Sequence, residues 1–260
     1  NASESLSGRI SYIDMSGFSV NEISYKKDLW LRGGFPRSFL AKEESISFKW
    51  RIDFIRSLLE RDIPQLGINI PSVALHRFWT MLAHYHGQIW NGSEFARSLA
   101  ITEPTARKYL DILTGAYVVR QLQPWHENLK KRQVKSPKVY IRDSGILHAL
   151  LSLNHDSVMN HPKLGASWEG FVIEQILIIS MTRDYYFWAT YTGAELDLLV
   201  FKSGKRYGFE IKYTDVPKIT KSMKIAIEEL KLDMLFIIYP GDKSYQIKSN
   251  ITVLSINTLN

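Results

Sequence analysis

The sequence predicts an α/β protein with more than one domain. In its first half, apolar residues recur at helical spacing, as at Ile52, Ile55 and Leu59. After residue 180, apolar segments rich in β-branched and aromatic residues alternate with turn residues, which is typical of strands. The chain has 260 residues, enough for about two domains. We expect a leading segment over residues 1–44, a helical region over 45–160 and an α/β domain over 161–260.

Composition limits the class of protein. Hydrophobic residues at 45% and charged residues at 23% are ordinary for a globular chain. The absence of cysteine excludes disulfides and cysteine-based zinc sites, and no apolar stretch approaches the ~20 residues of a membrane helix. We therefore expect a cytoplasmic protein with no membrane partner. The formal net charge of +7 favours a polyanionic partner, although a basic surface without a partner explains it equally well.

The beginning of the chain is predicted to be the end of a preceding domain. Residues 5–9 run directly into a strand-like segment without a leader sequence. The segment Gly33-Gly34-Phe35-Pro36 then interrupts regular structure, because paired glycines and a proline favour turns. We expect residues 1–44 to be a remnant and linker cut from a longer protein.

Two amphipathic helices are predicted next. Apolar residues at helical spacing place the first from Ser45 to about Arg61. Pro71 opens the second, and Gly87 can end it.

Residues from about 72 to 142 contain the pattern of a winged helix-turn-helix domain. Ser93 is predicted to cap a short helix, and Thr102 a second helix that ends at Gly115, before the strand YVVRQLQPW. The second helix is predicted to bury Ala106, Tyr109, Leu110 and Leu113 and to expose the candidate nucleic-acid contacts Thr105, Arg107 and Lys108. Such a domain binds DNA or packs against another protein, and both interpretations stay open.

A basic run follows this pattern. It comprises Lys130, Lys131, Arg132, Lys135 and Lys138, with Trp125 nearby. Basic side chains contact phosphates and an aromatic ring stacks on a base, so the run is a candidate nucleic-acid surface. A solvated hairpin without a partner is an equally good interpretation. The strand KVYIRD comes next, and Asp143 is predicted to cap the helix after it.

The last domain is predicted from alternating segments. A helix begins near Ser167 and is followed by the strands YYFWAT, AELDLLVF and YGFEIKYT, the helix SMKIAIEELK, and the strands MLFIIYP and ITVLSI. A tight turn over Lys202–Lys205, with glycine available for positive φ, joins the second and third strands.

Ionisable residues interrupt these apolar strands. Glu195 and Asp197 lie on one strand, and Glu210 and Lys212 on the next. Residues two apart on a strand share a face, so Glu210 and Lys212 are expected to project together, with Asp197 brought alongside by the hairpin. Burying an unpaired charge costs free energy, so these groups need a partner, an ion or a chemical role.

The order of these motifs is similar to that of a known protein family. The glutamate helix Trp168–Val172, the strand end Gly193–Asp197 and the triplet Glu210-Ile211-Lys212 resemble the PD-(D/E)xK restriction-endonuclease-like fold. With Ser5–Arg9, Gly33–Pro36 and Lys138–Ile146 added, nearly the whole chain resembles the C-terminal region of bacterial and archaeal AAA-type ATPases. No GxxxxGK[ST] phosphate loop is present, so ATP is implied only for a full-length parent whose N-terminal ATPase domain would be the partner.

The resemblance implies a Mg²⁺ or Mn²⁺ site that hydrolyses phosphodiesters. Asp197, Glu210 and the carbonyl of Ile211 would hold the metal, Lys212 would orient the attacking water, and Glu169 would assist. Glu195 is a substitute ligand or a partner of Lys212. Two alternatives stay open: an inert nuclease fold that binds DNA or protein and regulates the ATPase, and a scaffold through which the ATPase forms oligomers.

Overall fold

A computed structural model of the chain describes residues 8–11, 15–24, 26–127 and 134–259. It is an α/β protein with helices, a small antiparallel sheet and a larger mixed sheet. Within the described residues, no helix combines the length and apolar character needed to cross a bilayer.

The first part of the chain is helical. Its helices are α1 (Lys26–Arg32), α2 (Pro36–Phe39), α3 (Glu44–Ser57), a π-helical turn (Leu58–Asp62), α4 (Ile63–Gln65) and α5 (Ser72–His84). The helix predicted from Ser45 to Arg61 is thus two elements, because the hydrogen-bond pattern widens at Leu58. The predicted helix after Pro71 is confirmed, although it ends at His84 rather than beside Gly87.

Residues 26–40 belong to the folded body of the protein. Trp30 is buried and packs against Trp168 and Tyr213, with ring centroids 5.4 Å apart in both pairs. Asp143 accepts the Gly34 N–H at 2.8 Å, so the Gly33–Pro36 turn is fixed to the start of a later helix. The Gly33–Pro36 segment predicted as a turn therefore connects α1 to the start of that later helix.

The middle of the chain forms two helices and three short strands. They are β1 (Gln88–Ile89), α6 (Gly92–Leu99), α7 (Glu103–Gly115), β2 (Val119–Leu122) and β3 (Lys138–Ile141), with strand order β1-β3-β2 and antiparallel pairing. The predicted buried face of α7 is confirmed for Ala106, Tyr109, Leu110 and Leu113.

One of the three predicted helix caps is a different residue in the structure. Thr102 and Asp143 cap α7 and α8 (Ser144–Leu150), as predicted. The cap of α6 is Asn91 rather than Ser93: the Asn91 carboxamide oxygen accepts the Glu94 N–H, and the Ser93 hydroxyl donates to that same oxygen. Asn and Ser rank similarly as caps, so the pattern placed the start of the helix two residues late.

The strand predicted to reach Trp125 ends at Leu122. Beyond it the chain leaves the small sheet, and the Trp125 N–H donates to the Phe187 carbonyl at 2.7 Å. The segment after β2 therefore runs along the edge of the larger sheet.

The last part contains α9 (His155–Met159), α10 (Leu164–Ser180), β4 (Tyr185–Ala189), β5 (Glu195–Lys202), β6 (Lys205–Ile211), α11 (Lys221–Leu230), β7 (Met234–Tyr239), β8 (Tyr245–Lys248) and β9 (Ile251–Ser255), followed by a 3₁₀ turn (Ile256–Thr258). The sheet order is β4-β5-β6-β7-β9-β8, with β6, β7 and β9 parallel and the other pairs antiparallel. The edge strand β8 was not predicted; all four of its residues are exposed, so no buried face accompanies its short alternation.

Two helices cover the larger sheet on opposite faces. Helix α10 is buried from Gly170 to Leu177 and packs with Leu198, Val200, Ile211 and Ile238. Helix α11 packs its Met223 and Leu230 against a separate cluster that includes Leu196 and Leu235. The β5–β6 turn is confirmed as a tight hairpin, with φ of 52° at Ser203 and 74° at Gly204.

Candidate functional site

A β-bulge in β5 determines where the side chain of Asp197, the first candidate site residue, lies. Tyr186 pairs with Leu199 and Trp188 pairs with Leu196, so a step of two residues along β4 lies opposite a step of three along β5. As a result, Leu196 packs with α11 whereas Leu198 packs with α10. Asp197 lies between them, 6% exposed, and its Oδ2 accepts the Ile211 N–H at 2.8 Å. Bulges often re-aim a side chain beside an active site.

Strand β6 supplies the other two charged groups. Glu210 is buried, and its Oε1 lies 2.7 Å from the Nζ of Lys212, so the two side chains lie on one face as predicted. Phe209 and Ile211 pack in the core on the opposite face. The carboxylate therefore holds the ammonium at the end of the strand.

Glu169 reaches the site from α10. Its Oε1 accepts a hydrogen bond from the Tyr140 hydroxyl at 2.6 Å and lies 3.3 Å from the Nζ of Lys138. Lys138 and Tyr140 are two apart on β3, so they share a face of the small sheet. The middle part of the chain thus completes the surroundings of Glu169.

Lys138 is a buried member of this site, which the sequence prediction missed. We grouped Lys138 with the basic surface run, but its side chain is only 5% exposed and also contacts the carboxylate of Glu195. Glu195 is therefore paired with Lys138 and not with Lys212. The signal in the sequence was that Lys138 is the single charged residue of this strand, whose remaining residues Val139, Tyr140 and Ile141 are all apolar or aromatic.

Excess negative charge characterises the cluster. Burial, together with the neighbouring Glu169 and Glu210, raises the pKa of Asp197 well above its usual value, against the opposing effect of the lysines. Burial also raises the pKa of Glu210, which Lys212 only partly offsets. Burial opposes the charged form of Lys212, but Asp197 and Glu210 outweigh it and raise the lysine's pKa. The ionised forms of Asp197 and Glu210 are therefore disfavoured, first by burial and then by neighbouring carboxylates.

The donor atoms suit a hard cation. Asp197 and Glu210 offer carboxylate oxygens, and Mg²⁺ and Mn²⁺ prefer oxygen ligands. The Oε2 of Glu210 is buried and has no hydrogen-bond partner, which is costly unless a ligand joins it. However, across the described part of the chain no three carboxylate or imidazole groups converge closely enough to enclose a metal. Asp197 and Glu210 fit the metal in chemistry, with Glu210 held by the Lys212 ammonium and Asp197 by the Ile211 N–H.

Helix α10 also joins the small sheet through a second ion cluster. Glu174 is buried between Arg120, whose Nη2 lies 2.8 Å from its Oε2, and Arg142, whose Nε lies 3.2 Å from the same oxygen. Burial would raise the pKa of Glu174, but Arg120 and Arg142 outweigh it and lower the pKa. Close packing accompanies this pairing, since a Cβ on Gly170 would lie 2.3 Å from the Nε2 of the buried His86.

The predicted nucleic-acid residues that the structure describes are exposed or half-buried. Lys108 and Lys135 are exposed, and Arg107 is exposed and pairs with Asp111 at 3.1 Å. Thr105 is half-buried, and its N–H donates to the hydroxyl of Thr102, the N-cap of α7. Lys130, Lys131 and Arg132 lie outside the described residues.

Two adjoining parts of the chain match two different protein families. Residues 24–157 match the family described as a domain of unknown function, DUF8612, which is slightly more than half of the chain. The chain belongs to the DUF8612 family. Residues 164–259 match a second domain of unknown function, DUF4143. Lys138 and Tyr140 therefore come from the DUF8612 region, and Glu169, Asp197, Glu210 and Lys212 from the DUF4143 region.

Two mycobacterial proteins are similar to this DUF8612 chain. They are the uncharacterized protein Rv2008c of Mycobacterium tuberculosis and the uncharacterized protein Mb2031c of Mycobacterium bovis, each 49% identical over 256 residues. The match covers 97% of this chain and 58% of each relative. The chain thus spans less than two thirds of the length of these relatives. No solved structure matches it significantly.

Proposed function

We propose that the chain is the nuclease-like part of a nucleic-acid-associated ATPase and that the Asp197–Glu210–Lys212 cluster hydrolyses phosphodiesters with a divalent metal. The observation that carries this proposal is the gathering of these three groups at one end of β5 and β6. Their mutual electrostatic effect on pKa values supports it. The mixed sheet with a helix on each face is compatible with a restriction-endonuclease-like fold.

The metal would be held by Asp197, Glu210 and the Ile211 carbonyl. When bound, such an ion lowers the pKa of a water ligand and offsets the charge that develops at phosphorus. Lys212 keeps its proton beside Glu210, so its ammonium orients the attacking water and faces the phosphate. Glu169, fixed by Tyr140, assists as a hydrogen-bond acceptor for water.

Helices α6 and α7 with the small sheet would form a winged helix-turn-helix that binds the nucleic acid. The exposed Lys108 and Lys135 and the net charge of +7 support electrostatic attraction to phosphates. In the same proposal, phosphates of the nucleic acid are also contacted by Lys130, Lys131 and Arg132. Thr105 and Arg107 would take part at the first half of α7.

The ATPase part of the proposal rests on the family match. DUF4143 occurs in proteins associated with AAA-type ATPases. The relatives are longer than this chain, which leaves room for an ATP-binding domain in them. ATP binding, a cytoplasmic location and any oligomer would be properties of such a full-length parent.

A cleavage assay tests the catalytic proposal. Plasmid and labelled single-stranded DNA are incubated with the chain and Mn²⁺, and products are resolved on gels. We expect Asp197→Ala to abolish cleavage and Lys212→Ala to slow it by roughly 100-fold or more, because a preorganised charge at the phosphate is lost. Lys205→Ala, an exposed lysine at the other end of β6, is the matched control and should keep full activity.

A non-catalytic regulatory module is the second candidate function. Its support is the pairing of Glu169 and Glu210 with ammonium groups and the lack of a converged three-ligand set in the region described. If Mn²⁺-dependent cleavage is absent, or if Lys212→Ala cleaves as fast as the wild type, this candidate replaces the nuclease.

A further inference from the structure

Lys138 is a buried cation supplied to the carboxylate cluster by the other part of the chain. Its Nζ contacts the Oε1 atoms of Glu169 and Glu195 and lies 5.7 Å from the centroid of the Phe187 ring. Burial opposes the charged form, but the surrounding Tyr140, Glu169 and Asp197 outweigh it and raise the lysine's pKa, so the ammonium is charged. This ammonium therefore partly neutralises two carboxylates, as a bound metal cation could.

The charges of the cluster determine how many further cations it needs. Four carboxylates, from Glu169, Glu195, Asp197 and Glu210, face the two ammonium groups of Lys138 and Lys212. Full ionisation therefore leaves two negative charges uncompensated, which one divalent ion neutralises. A second divalent ion would leave the cluster positively charged around the buried Lys138, Asp197 and Glu210, where an unbalanced charge is costly.

The contacts divide the carboxylates in the same way. Lys138 is paired with Glu169 and Glu195, whereas Asp197 is held by the Ile211 N–H and Glu210 by Lys212 through one oxygen. Among the described buried side-chain atoms of this cluster, the Oε2 of Glu210 has no hydrogen-bond partner, so it is available to a metal held by Asp197 and Glu210. Lys138 therefore partly neutralises Glu169 and Glu195, the two carboxylates that a second metal ion of a two-metal site would otherwise have to neutralise.

We propose that Lys138 is a built-in substitute for a second metal ion and makes this a one-metal site. The inference rests on the proposed metal site at Asp197 and Glu210. Lys138 acts as a positioning residue: it keeps Glu169 and Glu195 in place and does not contact the substrate. Because it lies on β3, the site is complete only when the small sheet packs against α10.

The test measures how many Mn²⁺ ions bind. Isothermal titration of the metal-stripped, 260-residue chain is combined with electron paramagnetic resonance. We expect about one Mn²⁺ per chain with an uncoupled spectrum for the wild type and for Lys138→Arg, and about two spin-coupled ions for Lys138→Met, as in two-metal sites. Lys224→Met, an exposed lysine on α11, is the control and should match the wild type.

Each outcome has one meaning. Spin-coupled pairs of Mn²⁺ in the wild type overturn the inference and leave the metal site standing. So does a single uncoupled ion in Lys138→Met. If neither the wild type nor any variant binds Mn²⁺, the metal site itself is wrong, and the inference fails with it. The wild-type stoichiometry is decisive even if Lys138→Met does not fold.

Discussion

At the scale of single residues, Glu174 is the most strongly paired carboxylate on α10. It is buried and bonded to Arg120 and Arg142, which come from β2 and from the residue after β3. Arg120 also donates to the Tyr185 hydroxyl at 2.6 Å. This cluster ties the small sheet, the helix and the larger sheet together, so its loss affects the junction of all three.

We expect Glu174→Gln to destabilise the fold in a pH-dependent way. The arginines lower the folded pKa of Glu174 below its usual 4.5, so its stabilising effect is complete above that value and is lost as the pH falls through the folded pKa. At pH 7 the variant should lose about 3 kcal/mol or more, as when a buried ion pair is broken. The difference should shrink in acid below pH about 4.5.

Urea denaturation of both proteins at several pH values checks this effect. Glu228→Gln on the exposed side of α11 is the control and should follow the wild type throughout. A loss for Glu174→Gln that is equal at neutral and acid pH would contradict an electrostatic origin.

The site residues show how far sequence reasoning reaches at this scale. Asp197, Glu210 and Lys212 stand out because charges in apolar strands need a reason, and Glu169 follows from the family resemblance. The shared face of Glu210 and Lys212 follows from strand alternation. Lys138 was assigned to the surface, because its neighbours in sequence are basic and nothing local reveals a contact with residues 31 and 57 positions away. Long-range pairing is not encoded in local pattern.

At the scale of elements, helix α7 is the proposed nucleic-acid contact. Its buried face is confirmed, and its outward side carries Arg107 and Lys108. Arg107 is engaged with Asp111, so Lys108 is the more available charge for a phosphate. Lys135, which precedes β3, is a further exposed lysine in this part of the chain.

We expect the Lys108→Ala/Lys135→Ala double variant to bind DNA more weakly and with less salt dependence. Each lysine that contacts a phosphate releases counterions, so the slope of log affinity against log salt should fall by about one for each lysine removed. Fluorescence anisotropy of labelled duplex DNA at several salt concentrations measures the slope. Lys221→Ala, an exposed lysine on α11, should leave it unchanged; a slope unaltered in the double variant would contradict the proposed surface.

The predicted elements follow from signals of different strength. The β5–β6 hairpin and the caps Thr102 and Asp143 were predictable, because turn and cap residues act within a few positions. The bulge at Asp197 was not predictable, since it depends on how β4 pairs with β5. Strand β8 was missed for a related reason: it exists through pairing with β9 and has no buried face of its own.

At the scale of the whole molecule, the two parts of the chain meet along α10. Tyr140 and Lys138 contact Glu169, and Arg120 contacts Glu174 on the same helix. The N-terminal helix α1 contributes Trp30 to the junction. The two parts are therefore packed together, and β3 of the small sheet contributes Lys138 and Tyr140 directly to the carboxylate cluster.

The most direct test of the metal site is anomalous diffraction from crystals of the chain soaked in Mn²⁺. We predict one strong anomalous peak bound by the carboxylates of Asp197 and Glu210, with the Lys138 ammonium still against Glu169 and Glu195. Crystals that diffract well, are saturated with Mn²⁺ and show no anomalous peak at Asp197 and Glu210 would contradict the account.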